Sequence, residues 1–226
     1  MIEIIKIVAG FDQVEAVAYH TFCQSIIDKA SLPLQITPLF EKSLSKYRFK
    51  QDDGSNKFIY SRFLTPYLNN FTGWAIYADG DMVCREDIKE LWNLRDNSKA
   101  VMLVKHKYTS KVTTKYLGNK NENYPRKNWS SLILWNCHHP VNKVLTPEFI
   151  ASMDGPYLHR FSWIPEELIG EIPLDWNWLA AEYKNNLQAK LVHYTLGTPC
   201  FLEYKESPMS EYWHETYLRM NEGINK

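Results

Sequence analysis

Apolar and polar residues follow two different periods in the first part of the chain. An apolar run covers residues 4–9 and stops at Gly10, and between residues 14 and 26 apolar side chains recur every three or four positions. The first spacing is typical of a buried strand and the second of one face of a helix. Asp12 stands between them, where its carboxylate can accept a hydrogen bond from the free amides of a first helical turn. A strand, a tight turn and a helix are therefore predicted.

Similar signals continue along the rest of the chain. Strands are predicted over residues 34–39, 74–78, 101–104, 131–135 and 191–194, and helices over residues 58–68, 87–92 and 147–153. Strands that alternate with helices form mostly parallel sheets with helices on both faces. The 226 residues contain no internal repeat and no Gly/Ser-rich linker, so residues 1–226 are expected to form a single α/β domain.

Two polar segments and the tail depart from this alternation. Residues 40–56 have the composition of a loop, and residues 106–128 are rich in Lys, Asn, Thr and Tyr without any periodicity. Irregular segments of that length in compact domains tend to be functional or mobile. In residues 211–220, aromatic side chains recur at roughly helical spacing, which predicts a helix that caps the core. Contact of this helix with a membrane surface is the alternative.

Charge and composition exclude several kinds of protein. Lys and Arg together number 26, as do Asp and Glu, so the formal net charge is zero. No long basic run is present, and nucleic acid is not an expected partner. The first residues lack the continuous apolar core of a signal peptide, and no apolar stretch approaches the roughly 18 residues of a membrane span. A cytoplasmic protein without a transmembrane segment is expected. The four cysteines form no Cys-x-x-Cys pair, which argues against a zinc cage or a disulfide framework.

The clearest candidate site is an apolar strand that ends in two carboxylates separated by one glycine. Alternate residues of an extended chain point the same way, so Asp79 and Asp81 can converge just past residue 78. Two carboxylate oxygens suit a divalent cation, and ligands of open α/β sheets bind at the carboxyl ends of strands. An ordinary turn is the alternative, because Asp-Gly is a common turn dipeptide.

Two further residues could complete such a site. His193 ends a short apolar strand and precedes a Gly/Pro loop, so its imidazole could join the two carboxylates. An imidazole ligand favours Mn²⁺ over Mg²⁺ without excluding either metal. Arg62 lies on the helix before the acidic strand, where its guanidinium could bind a diphosphate by bidentate contacts. A structural histidine and a surface charge are the respective alternatives.

Taken in order, these motifs resemble the nucleotide-sugar glycosyltransferases of family eight, which have the GT-A fold. The resemblance is carried by residues 8–12, 60–64, 76–83, 87–92, 129–137, 172–177 and 193–199. It implies a GT-A type fold with a mostly parallel, Rossmann-like sheet. It also implies an enzyme that moves a sugar from a nucleoside diphosphate, usually UDP, to a hydroxyl group of a glycan or another acceptor. Residues 107–127 are then expected to form a mobile flap near the acceptor.

The resemblance also implies roles for individual residues. Mn²⁺, with Mg²⁺ as the alternative, would be bound by Asp79, Asp81 and His193. The donor would be bound by Arg62 and Asp79, by the loop after the first strand, and by the backbone of Gly197; the loop comprises Ala9, Gly10, Phe11 and Asp12. That loop would hold the uridine.

The chain departs from the family pattern at three places, one of which is the start of the middle strand, where the usual Asn-x-Gly reads Trp129-Ser130-Ser131. Family members commonly carry a lysine soon after the late glycine, whereas Gly197 is followed here by Thr-Pro-Cys-Phe. The family's Asp-Gln segment beside the reacting sugar has no clear counterpart, and the nearest candidates for a catalytic carboxylate are Glu166, Glu167 and Asp175. A solvated helix start is the alternative role for these residues. The family outcome is retention by front-face attack, with double displacement as the alternative.

Two other functions stay open at the level of sequence. A metal-dependent nucleotide-sugar hydrolase or nucleotidyltransferase could use the same acidic pair. It would need a water-activating base or a Gly-rich triphosphate loop, and no Gly-x-x-x-x-Gly-Lys run is present. A non-catalytic carbohydrate-binding protein could share the fold.

Overall fold

Strands and helices alternate along the computed structural model, which describes residues 2–44 and 59–222. The strands are β1 (Ile5–Phe11), β2 (Leu34–Phe40), β3 (Trp74–Ala78), β4 (Met82–Cys84), β5 (Val101–Leu103), β6 (Leu132–Asn136), β7 (Ile169–Glu171), β8 (Trp178–Leu179) and β9 (Leu191–His193). The helices are α1 (Ala16–Ile27), α2 (Thr65–Leu68), α3 (Ile88–Trp92), α4 (Pro147–Ser152), α5 (Gly155–His159) and α6 (Ser210–Asn221). Short 3₁₀ turns connect many of these elements.

Six strands form the large sheet in the order β2-β1-β3-β6-β5-β7. Three of its five neighbouring pairs are parallel, and β6 runs antiparallel to both of its neighbours. Pro38 lies within β2, opposite Ala9, and this position is tolerated because β2 is an edge strand whose outer side needs no amide donor. The prediction of a mostly parallel sheet is confirmed, with one reversed strand that the sequence pattern did not reveal.

Helices cover both faces of the large sheet, as predicted. Side chains alternate along β3, so Ile76 and Tyr77 belong to different core clusters. Tyr77 packs with Trp135 and with apolar residues of α4 and α5. Ile76 packs with Leu134 and, on the same face, with Phe22 of α1 and apolar residues of α3. Each large side chain buried in this way contributes about 1.5–3 kcal/mol to folding, so two extensive apolar layers fix the strands against each other.

A second, smaller sheet has three strands in the order β4-β9-β8. Its apolar side chains Val83 and Val192 form a core cluster with Trp213 of α6. The aromatic tail is therefore a helix that caps the core, in agreement with the pattern at residues 211–220. Within residues 2–44 and 59–222, no helix combines the length and the apolar character that crossing a bilayer requires.

The predicted elements differ from the observed ones mainly in length. The helix predicted over residues 58–68 is a 3₁₀ turn, Ser61–Leu64, that continues into the short α2. The predicted loop at residues 40–56 begins with the end of β2 and a 3₁₀ turn, and its remainder lies outside the described residues. Strands β4, β7 and β8 have only two or three residues each, which is too short for a periodic signal.

Candidate active site

Strands β1 and β3 end at the same edge of the large sheet. They are parallel neighbours with Ala9 opposite Ala78, so the residues that follow each strand emerge next to each other. Gly80 allows a very close approach here, because a Cβ atom at this position would collide with the carbonyl oxygen of Gly10. The loop after β1 and the acidic pair after β3 therefore share one edge of the sheet.

Asp79 belongs to a buried network of polar side chains. Arg62 Nη2 lies 3.1 Å from Asp79 Oδ1, and the Tyr77 hydroxyl donates to the same oxygen at 2.6 Å. Arg62 Nη1 also donates to the carbonyl oxygen of Ser130 at 2.9 Å. Arg62 and Asp79 are only 5% and 8% exposed. The guanidinium is thus part of a buried ion pair, and the alternative of a surface charge is excluded.

The small sheet brings His193 to the acidic pair. β4 begins directly after Asp81 and pairs antiparallel with β9, with Met82 opposite His193. The amide of Tyr194 donates to the carbonyl oxygen of Asp81 at 3.0 Å, and His193 Nε2 lies 3.3 Å from Asp81 Oδ1. One ligand atom from each of Asp79, Asp81 and His193 lies within 4.8 Å of the other two. The structure thus brings together the three residues predicted to bind a metal.

A chain of hydrogen bonds orients the His193 ring. The Ser131 hydroxyl donates to the Asn128 carbonyl oxygen at 2.7 Å and accepts from Asn177 Nδ2 at 2.8 Å. Asn177 Oδ1 is then the acceptor for His193 Nδ1, at 3.0 Å. In the tautomer that carries its proton on Nδ1, the lone pair of Nε2 would be free to bind a cation placed beside Asp81. This is the arrangement of an imidazole ligand whose second nitrogen is fixed by a hydrogen bond.

Burial and charge act differently on the two carboxyl groups. Burial raises the pKa of Asp79 above its ordinary value, even though the Arg62 guanidinium opposes the shift. Burial also acts to raise the pKa of Asp81, but charge attraction and hydrogen bonding from His193, together with the Lys115 charge, outweigh it, so this pKa lies below its ordinary value. Two carboxyl groups in such a poorly solvated place repel each other when both are charged, and a cation between them would relieve that repulsion.

The donor set fits a divalent cation. Two carboxylates and one imidazole suit Mn²⁺, and Mg²⁺ less well. Asp81 Oδ1 is shielded from solvent and has no hydrogen bond of good geometry to the residues that the structure describes, although His193 Nε2 lies 3.3 Å away. Because a buried oxygen without a partner is costly, this atom is best explained as one that a cation would satisfy.

Side chains from distant parts of the chain line the cavity at this cluster. Sequence reasoning did not single out several of them, among which are Lys115, Tyr116, Tyr124, Ser130, His159 and Thr195. The first three come from the polar segment 106–128, whose only signal was its unusual length. His159 ends the five-residue helix α5 and its Nδ1 lies 2.7 Å from Ser130 Oγ. Burial, with Arg62 nearby, lowers the pKa of His159 to about 3, so this ring is neutral at physiological pH.

The three carboxylates predicted to be catalytic do not line this cavity. Glu166 is exposed and forms ion pairs of 3.2 and 2.6 Å with two basic side chains. Glu167 is also exposed, and Asp175 accepts a hydrogen bond from Asn186 Nδ2 at 3.0 Å. The structure does not place any of them among the residues around the acidic pair, and their catalytic role stays a prediction.

Of the residues predicted to hold the donor, Arg62 and Asp79 line this cavity, whereas the loop after β1 and Gly197 do not, and their roles stay predictions. Ala9 and Gly10 are buried at the end of β1, and the Phe11 ring packs edge-on against two other aromatic rings. Asp12 accepts a hydrogen bond of 3.0 Å from an amide two residues on, in a short turn before α1. Gly197 lies in the loop after β9, where a Cβ atom would strike the Tyr204 ring.

Known proteins similar to this chain share both its sequence motifs and its fold. Residues 6–139 match the family model described as glycosyl transferase family 8. Protein CDI from Arabidopsis thaliana is 42% identical over 217 residues, which cover 92% of this chain and 84% of that protein.

Two solved structures extend the comparison to nearly the whole chain. The bifunctional glycosyltransferase WbbM superposes with a TM-score of 0.63 at 16% identity, over 94% of this chain and 49% of WbbM. The galactosyltransferase LgtC, solved in complex with donor and acceptor sugar analogs, gives a TM-score of 0.59 at 11% identity, over 95% of this chain and 96% of LgtC. The chain spans about half the length of WbbM. At these identities the likeness establishes the fold, which is the GT-A glycosyltransferase fold predicted from the motifs.

Proposed function

We propose that this chain, which belongs to glycosyl transferase family 8 and is a glycosyltransferase, moves a sugar from UDP to a hydroxyl group of a glycan or another acceptor. The observation that carries this proposal is the meeting of Asp79, Asp81 and His193 within 4.8 Å, beside the buried Arg62. Two carboxylates, an imidazole and a guanidinium at the end of parallel strands suit a diphosphate bound with a divalent cation.

The proposal assigns a role to each group at this edge. Asp79, Asp81 and His193 would hold Mn²⁺, which would stabilise the charge that develops on the leaving diphosphate. Arg62 would keep Asp79 ionised and orient the donor from the side of Ser130, to which it is hydrogen bonded. The loop from Ala9 to Asp12 would hold the uridine. The sugar analogs bound to LgtC support a sugar donor and a sugar acceptor for this fold.

The composition of the cavity supports retention by front-face attack. Among the described residues that line it, only Asp79 and Asp81 carry a carboxylate, and the proposal uses both for the cation. Double displacement would need a further carboxylate close behind the anomeric carbon. In front-face attack, the bond from the anomeric carbon to the phosphate oxygen breaks and its electron pair stays on that oxygen. The acceptor oxygen bonds to the same face of the carbon, and the acceptor proton passes to the phosphate.

The remaining expectations are part of the same proposal. A single domain over residues 1–226 and a cytoplasmic location stay predictions from the sequence. The acceptor is expected to approach from the side of the polar segment 106–128, because this segment supplies cavity-lining side chains opposite the acidic pair.

Titration of UDP with and without Mn²⁺ tests the proposed function. We expect wild-type protein to bind UDP much more tightly with Mn²⁺, and Asp81→Asn to lose at least about tenfold of the affinity that depends on the metal. Asp96→Asn is a matched control, because Asp96 is exposed and does not line the cavity. Binding that is equally tight with and without metal would contradict the proposal.

A donor and acceptor screen then identifies the reaction. A transferase releases UDP from its UDP-sugar in proportion to the acceptor added, and the product carries the sugar on a hydroxyl group. Release of free sugar at the same rate without acceptor would instead identify a hydrolase.

A further inference from the structure

The loop directly after Gly197, residues 198–201, contains no charged side chain that could bind a diphosphate. Thr198 is fully buried, and its hydroxyl lies 2.8 Å from the Cys200 sulfur. Arg62 is paired with Asp79, so much of its charge is already compensated inside the protein. A cation held by the acidic pair would still leave a diphosphate with uncompensated negative charge, and a further basic group is needed to bind it tightly.

Lys115 is placed to supply that charge. It lines the same cavity as Arg62, Asp79 and Asp81, although it comes from the polar segment 106–128. In the part of the chain that the structure describes, no carboxylate lies within ion-pair distance of its ammonium group. Burial lowers the pKa of Lys115, and the nearby Asp81 and Asp79 carboxylates oppose this shift. A half-buried ammonium that faces a cavity without a direct partner is suited to bind an anion there.

The backbone around Lys115 is firmly held. The Lys115 amide donates to the carbonyl oxygen of Asn119 at 2.7 Å, which closes a tight turn. The next amide, of Tyr116, donates to the carbonyl oxygen of Leu196 at 2.7 Å. The Tyr116 ring stacks on Phe201, with 5.1 Å between ring centroids and 22° between planes. The turn is thus fastened to the loop after β9, and Lys115 is presented to the cavity from a defined position.

We propose that Lys115 binds the diphosphate of the nucleotide-sugar donor and stabilises the leaving UDP, in place of the basic side chain that the loop after Gly197 lacks. This inference rests on the proposed function, because it needs a nucleoside diphosphate beside Asp79 and Asp81. It assigns a direct role in the reaction to a segment that has no regular secondary structure over most of its length.

Calorimetric titration of uridine and UDP at saturating Mn²⁺ tests the role of Lys115. We expect Lys115→Met to bind UDP about 10- to 100-fold more weakly than wild type, because one charge-assisted contact to phosphate is lost. Uridine has no phosphate, so its affinity should be unchanged. Lys115→Arg should retain most of the UDP affinity. Lys111→Met is the matched control, since Lys111 is an exposed lysine of the same segment.

The outcomes separate this inference from the proposed function. If wild-type protein does not bind UDP in a metal-dependent manner, the proposed function fails. If wild type does bind UDP in this way but Lys115→Met binds it equally well, only the role of Lys115 is overturned. An equal loss of uridine and UDP affinity would also overturn it, because that result indicates a general structural effect. Lys115→Gln repeats the comparison should Lys115→Met not fold.

Discussion

The pKa of Glu15 shows how strongly the fold changes the ionisation of a residue near the acidic pair. Its side chain is only 7% exposed, at the end of the turn that follows Asp12. Burial, together with the nearby Asp81 carboxylate, raises the pKa of Glu15 to about 8, although a hydrogen bond with Tyr116 opposes the shift. The carboxyl group is therefore neutral in the folded protein at physiological pH, whereas in the unfolded chain it is ionised.

This difference predicts a specific pH dependence of stability. Between the ordinary glutamate pKa of 4.5 and the folded-state pKa of about 8, the unfolded chain releases a proton that the folded protein retains. Raising the pH through this window therefore destabilises the fold, by up to about 1.4 kcal/mol per pH unit. Glu15→Gln removes the titration, so the variant should gain stability relative to wild type as the pH rises from 5 to 8.

Denaturant unfolding in metal-free buffer at several pH values measures this effect. Glu171→Gln serves as the control, because Glu171 is exposed and its replacement should leave the pH dependence of wild type in place. A stability difference between Glu15→Gln and wild type that does not change with pH would show that Glu15 is ionised in the folded protein.

The residues of the candidate site differ in how readily they can be predicted from the sequence. Asp79 and Asp81 were predictable because they follow a strand at a spacing that puts both carboxylates on one side. Arg62 and His193 were candidates from their positions beside strands, and the order of the family motifs strengthened both. Lys115 was not predictable, because its position depends on a turn for which the sequence has no periodic pattern.

At the scale of elements, the contact between the ends of β1 and β3 sets the geometry of the site. The two backbones approach so closely at Gly10 and Gly80 that no side chain fits between them. The backbone at the end of the neighbouring strand therefore explains why residue 80 is a glycine.

Gly80→Ala should therefore destabilise the protein and disturb the acidic pair. We expect the free energy of unfolding to fall by about 1–3 kcal/mol, the usual cost of forcing an extra carbon atom into a packed site. Gly155→Ala is a matched control, because a Cβ atom there meets only the end of the Tyr60 side chain, at 3.0 Å. Urea unfolding of both variants gives the comparison, and an equal cost at the two positions would contradict this explanation.

The small sheet explains why the site could not be assembled from local patterns. β4 and β9 have three residues each and pair antiparallel across more than a hundred positions of sequence. The sequence predicted β9 as a strand, but such a short run does not reveal which strand it pairs with, and β4 was not predicted. β3 was predicted with its observed bounds and β1 to within two residues, because their apolar runs are buried.

At the scale of the whole molecule, the alternation of strands and helices was sufficient for the fold class but not for the sheet order. The reversed strand β6 lies between β3 and β5, and its direction depends on the path of the long segment before it. Segment 106–128 is mostly irregular, so the sequence could not show that it crosses the cavity before β6 begins.

The position of this segment predicts that ligands protect it from proteolysis. Its turn at Tyr116 contacts the loop after β9, while Leu117 at the tip is 64% exposed. UDP with Mn²⁺ should hold both sides of the cavity together and slow tryptic cleavage at Lys111 and Lys120 severalfold. Cleavage at the exposed Lys143, outside the segment, is the internal control. Rates at Lys111 and Lys120 that do not respond to saturating ligands would contradict the prediction of a mobile flap.

The pairing of β4 with β9 also has a consequence for the synthesis of the protein. The stretch that matches the family model ends at residue 139, while the imidazole that faces Asp81 arrives only with β9. A nascent chain that has emerged as far as the large sheet already possesses both carboxylates, yet it lacks their third partner. The proposed cation site would therefore be complete only late in synthesis, and we expect any product truncated before β9 to lack one of its three ligands.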